Sequence, residues 1–79
     1  MNFKESAYWT LYADIVNFHR KYAEVQESDM YWTAVVDASS ALYEKYKTLP
    51  EKEFAKQLIL TVLEELERIY RGKRKEVEK

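Results

Sequence analysis

The chain has 79 residues, one glycine, one proline, no cysteine and a formal net charge of −1. That length admits one domain, and a domain this small buries only about 60% of the surface its unfolded chain exposes. The lack of cysteine excludes disulfide staples, thiolate zinc sites and cysteine nucleophiles, and a lone glycine excludes a Gly-rich phosphate loop.

The first predicted helix runs from about Phe3 to about Val25. Phe3, Ala7, Leu11, Ile15, Phe18, Tyr22 and Val25 recur every three or four residues and form one stripe at 100° per residue. Asn2 with Glu5 matches a capping box. The opening residues Met1-Asn2-Phe3-Lys4-Glu5 lack the basic-then-apolar layout of a signal peptide. Ser28 and Asp29 then supply N-caps for a second helix.

That second helix is expected over about Met30 to Lys47, with the stripe Tyr31, Val35, Ala38, Leu42 and Tyr46 and with Leu49 just beyond it. Ala34, Ala38, Ser39, Ser40 and Ala41 are small and let a neighbour approach. Thr48 with Glu51 matches a second capping box, and Pro50 suits a first helical turn because its missing N–H has no partner there.

The third helix is expected over about Glu51 to Arg71. Phe54, Ala55, Leu58, Ile59, Val62, Leu63, Leu66, Ile69 and Tyr70 form its stripe. Gly72 stands where a C-terminal stop belongs, leaving 73–79 as a charged, dispensable tail after a domain of residues 1–72. The apolar stretch Leu58-Ile59-Leu60, continued after Thr61 by Val62-Leu63, falls far short of the roughly 20 residues that span a bilayer. The expectation is a soluble, cytoplasmic, all-α three-helix bundle with short connections, completed by dimerisation if its surface demands it. No segment reads as a strand. Leu11, Ile15, Phe18, Tyr22, Val35, Ala38, Leu42, Leu58, Val62, Leu66 and Ile69 should form the core.

Residues that carry chemistry are few. His19 is the sole histidine, and Ile15, Val16, Tyr22 and Ala23 occupy the helical positions where a second metal ligand would stand. Ser39 and Ser40 have no base beside them and read as packing or solvent-facing hydroxyls. Asp14 and Asp37 are not placed together by any periodicity. Tyr8-Trp9-Thr10 with Asp14 echoes Tyr31-Trp32-Thr33 with Asp37, but two copies do not make a repeat architecture. No cofactor, metal or small-molecule substrate is implied, and an enzyme is not expected.

Charge and aromatic content are more informative. Residues 1–67 carry seven basic and twelve acidic side chains, and residues 68–79 carry six basic and two acidic, so an acidic body ends in a basic segment. Arg68, Arg71, Lys73, Arg74 and Lys75 could contact nucleic acid, or they could be the cations that a helix C-terminus favours. The pI of about 5.8 weighs against a nucleic-acid-binding domain. The apolar arcs are too wide for the core of a small bundle. Tyr8, Trp9, Tyr12 and Val16 widen the first stripe to roughly 200°, Trp32, Val36 and Tyr43 widen the second, and Leu60 projects among Lys56, Gln57, Glu64 and Glu67. With two Trp, seven Tyr and three Phe, the surplus suits an interface, because Tyr and Trp join a large apolar area to a polar tip. Trp9, Tyr12, Val16, Trp32, Val36 and Tyr43 are the candidate protein-binding residues.

The run Tyr31-Trp32, then Ala41-Leu42-Tyr43-Glu44-Lys45-Tyr46, then Phe54-Ala55-Lys56 leading to Leu63-Glu64-Glu65-Leu66-Glu67-Arg68, resembles short uncharacterised helical proteins of bacterial mobile elements and prophages. It covers about half of the chain and is built from common helix residues. The resemblance implies an all-helical fold and a phage or mobile-element setting, in which small acidic proteins often bind and block a host protein. It carries over no activity and no site residues. The reading is a non-enzymatic protein-binding module, self-associating or docking a host protein. The alternative is a nucleic-acid-associated accessory protein using the basic segment.

Overall fold

The computed structural model describes the backbone of residues 2–78 and the side chains of residues 2–73. A single 3-10 turn, Phe3–Glu5, leads into three α-helices: α1, Ala7–Tyr22; α2, Asp29–Tyr46; and α3, Lys52–Glu78. Each helix touches the other two, and no strand occurs among the described residues. The chain is an all-α three-helix bundle. Its short connections, residues 23–28 and 47–51, make successive helices antiparallel. Tyr31 at the start of α2 accordingly meets Tyr22 at the end of α1, and Trp32 meets Tyr70 near the far end of α3.

The local signals explain most boundaries. Ser28 caps α2 as expected, its hydroxyl accepting the Tyr31 N–H at 3.1 Å. At the N-terminus the Asn2 side chain accepts the Lys4 N–H and closes the 3-10 turn rather than capping α1. Ser6 occupies the N-cap position of α1, and its hydroxyl donates back to the Phe3 carbonyl at 2.6 Å. The chain bends there, so Phe3 leaves the helical stripe. The end of α1 also falls short of the expected Val25: the helix stops at Tyr22, whose carbonyl accepts the Tyr31 hydroxyl at 2.6 Å. Val25 is nevertheless buried, reaching the core from the connection. The third helix opens at Lys52 rather than Glu51. Thr48 and Pro50 lie in the preceding turn, which is closed by the Leu49 N–H on the Tyr46 carbonyl and the Lys52 N–H on the Leu49 carbonyl.

Two clusters make up the core. Phe18, Val25, Tyr31, Val35, Val62 and Leu66 fill one, and Leu11, Tyr46 and Ala55 fill the other, with Ile15 and Leu42 packing against both. Of the expected core residues, Leu11, Phe18, Val35, Val62 and Leu66 are buried, and Ile15, Tyr22, Ala38, Leu42, Leu58 and Ile69 are half-buried. A molecule 53 × 19 × 18 Å is too thin to enclose every residue of three stripes. Ser39 is buried as a packing residue, its hydroxyl donating to the Val36 carbonyl at 2.8 Å, whereas Ser40 is exposed.

The stop expected at Gly72 is not used. α3 continues through it to Glu78, and Gly72 has no positive φ. Interior glycine costs a helix only about 0.5–1 kcal/mol relative to alanine, too little to end one flanked by Arg, Lys and Glu. Lys73 is not tail either: its ammonium donates to the Val25 carbonyl at 2.6 Å, tying α3 to the α1–α2 connection. A chain truncated after Gly72 is therefore expected to fold but to lose about 1–2 kcal/mol, because a charge-assisted bond to the carbonyl of the buried Val25 is removed. Thermal melting with amide exchange checks this. Faster exchange should appear in residues 23–28, and an unchanged melt would instead mark 73–79 as dispensable.

Candidate protein-binding surface

The polar groups build structure. Asp14, in α1, accepts the Tyr46 hydroxyl at 2.6 Å and the Lys45 ammonium at 2.8 Å, joining α1 to the end of α2. Burial, reinforced by the Asp14 carboxylate, holds the Tyr46 phenol well above its ordinary range, and burial together with neighbouring Tyr22 raises Tyr31. Asp37 is exposed and stands apart from Asp14. His19 is half-buried near Glu65, whose carboxyl is held low chiefly by its hydrogen bond to Arg68. Among the described residues no three His, Cys, Asp or Glu side chains are grouped to hold a metal, and no helix is long and apolar enough to cross a membrane.

The six candidate interface residues divide into two surfaces. Trp9, Tyr12 and Val16 lie on the outer side of α1 and are 47%, 44% and 60% exposed. Phe3, folded back by the 3-10 turn, sits 6.1 Å from the Trp9 ring and 6.2 Å from the Tyr12 ring, and Tyr12 meets Phe54 edge-on at 5.9 Å. Lys4 stands 6.0 Å over Trp9. This face is thus an aromatic group anchored to the start of α3.

Trp32, Val36 and Tyr43 belong to α2 and line a groove between α2 and α3 that contains no α1 residue. Leu60 and Leu63 supply its α3 wall, Tyr70 lies at one end, and Val36 and Leu60 remain 56% and 40% exposed. Trp32 packs edge-on against Tyr31 at 4.9 Å and Tyr70 at 5.4 Å. Its indole N–H is buried without a hydrogen-bond partner among the described residues. The six residues do not form the single surface expected from the sequence, because three helices packed around one axis turn the outer side of α1 and the α2–α3 groove in different directions. Phe3 is missed because Asn2 and Ser6 are rival N-caps. Choosing Ser6 would place Phe3 outside the helix and free to join Trp9.

The basic residues are largely engaged. Arg68 grips Glu65 through two bonds of 2.7 Å, Arg71 lies 3.7 Å from Glu67, and Lys73 holds Val25. Arg74 and Lys75 lie outside the residues whose side chains are described. The chain matches no protein-family model, no characterised protein and no solved structure with which it was compared.

Proposed function

We propose that the protein is a non-enzymatic protein-binding module. The observation that carries this reading is the open apolar surface: with all three helices packed, Trp9, Tyr12, Val16, Val36 and Leu60 still face outward. Contiguous exposed apolar patches on small proteins are usually contact sites, and Trp and Tyr are typical interface anchors. The resemblance to small mobile-element and prophage proteins fits the same role, with a host protein as the target and blocking as the mode of action. Against the nucleic-acid alternative, Arg68 and Arg71 each sit beside a carboxylate, Glu65 and Glu67, which offsets part of the local positive charge.

Photo-crosslinking in the cells that make the protein tests the reading. A photoreactive residue at Val16 or Val36 is expected to give discrete protein adducts, whereas one at Glu24 or Lys52, both exposed and polar, is not. Indiscriminate labelling from all four positions, or none from any, would remove the reading's support.

A further inference from the structure

We infer that the α2–α3 groove is built for an amphipathic helix whose apolar stripe is flanked by Lys or Arg. This rests on the protein-binding reading and names the partner's chemistry. The floor is apolar: Trp32, Val36, Leu60 and Leu63 form a strip between two helices, the shape that receives a third helix through i, i+3, i+4 and i+7 anchors.

The rim decides the partner's charge. Glu64 and Glu67 border the strip on α3, Asp29 and Asp37 line an adjoining hollow on α2 that shares Trp32 and Val36 with it, and Glu44 and Lys56 line the groove's continuation at Tyr43. Among the described residues Glu67 pairs with Arg71 at 3.7 Å and Glu44 pairs with Lys47. Three carboxylates, Asp29, Asp37 and Glu64, have no ion-pair partner among the described residues, and they outnumber Lys56, the one cation of the described lining. Their field attracts a cationic helix and repels an anionic one, and such rims set association rate and partner choice more than raw affinity. It also selects against the obvious competitor, a second copy docked groove to groove, because that would set one acidic rim against another. The α1 face lacks this rim: Lys4 stands over Trp9 and Arg20 is exposed on the same helix.

The test uses a Trp9→Phe chain, in which Trp32 is the only fluorophore of its type. It is titrated with two synthetic 18-residue peptides of identical amphipathic pattern, one of Leu and Lys and one of Leu and Glu. The Leu/Lys peptide should shift Trp32 emission saturably and bind at least about 10-fold more tightly than the Leu/Glu peptide, with affinity falling as salt rises. Leu60→Gln should weaken it about 10-fold or more. Thr10→Gln, at an exposed position of α1 that belongs to neither apolar face, should leave it unchanged. Both substituted positions are exposed, and circular dichroism verifies that the variants fold. Equal binding of both peptides, no binding, or binding indifferent to Leu60→Gln overturns the inference. So does a concentration-dependent dimer that Leu60→Gln dissociates, which would make a second copy the occupant. Crosslinks at Val16 and Val36 without peptide binding would defeat the basic-helix inference alone, whereas failure of the crosslinks would defeat the protein-binding reading itself.

Discussion

Leu66→Asp is expected to unfold the protein, with loss of most of its helical circular dichroism at 25 °C. Leu66 is fully buried among Phe18, Val25, Tyr31, Val35 and Val62, none of which can accept or donate through its side chain except the Tyr31 hydroxyl, already committed to Tyr22. Truncating a buried leucine to alanine costs about 2–5 kcal/mol. An uncompensated carboxylate adds several more, either as buried charge or as the work of protonating it. Against this stands a total stability of about 4–12 kcal/mol, taking 0.05–0.15 kcal/mol per residue. Leu66→Ala should therefore fold with a lowered melting temperature while Leu66→Asp should not. The same change at Leu58 should be milder, because Leu58 is half-buried and its carboxylate could reach water. A Leu66→Asp chain that melts cooperatively near the wild-type temperature would show that the bundle is not organised around this cluster.

The helices were legible because their information is local and repeated. Leu11, Val35 and Leu66 each sit in an unbroken 3.6-residue pattern, and Ser28 announces α2 with the one side chain that can satisfy its first donors. What failed was whatever depended on competition between neighbours. Val25 continues the α1 stripe in sequence yet lies outside the helix, because a core can be reached from a connection as well as from a helix face. Gly72 looks like a stop, but a stop needs the left-handed conformation, and this glycine never adopts it.

The candidate surface was legible as a list and illegible as a shape. Periodicity places Trp9 and Val36 on the wide arcs of their own helices but does not say how those arcs are turned once three helices pack. Trp32 shows the difficulty. Its counterpart in the Tyr-Trp-Thr echo, Trp9, is exposed, whereas Trp32 is half-buried between Tyr31 and Tyr70 with its N–H unpaired among the described residues. The acidic rim is similarly invisible in sequence, since Asp37 and Glu64 lie 27 positions apart and come to flank the same residues, Trp32 and Val36, only because α2 packs against α3.

Asp14→Ala is expected to destabilise the bundle by about 2–3 kcal/mol, chiefly through the Tyr46 hydroxyl, which it leaves without its acceptor on a side chain only 2% exposed. Loss of the Lys45 pair should contribute less than about 1 kcal/mol, because Lys45 is more than half exposed and such pairs are screened. Tyr46→Phe should cost less than Asp14→Ala, since the abandoned carboxylate is partly in water, and the double variant should show strong coupling between the two sites. The pair also sets a pH dependence. A phenol whose pKa is raised on folding is equally neutral in both states below about pH 10, its ordinary value. Above that the unfolded chain ionises first, so the stability contribution is lost as pH rises from about 10 towards the folded value. Denaturant midpoints measured at pH 8 and pH 11 should therefore fall more steeply for the wild-type chain than for Tyr46→Phe. Tyr31, raised in the same direction, contributes equally to both proteins and cancels in the comparison. An identical alkaline loss in the two would show that the Asp14 carboxylate does not hold the Tyr46 proton in place.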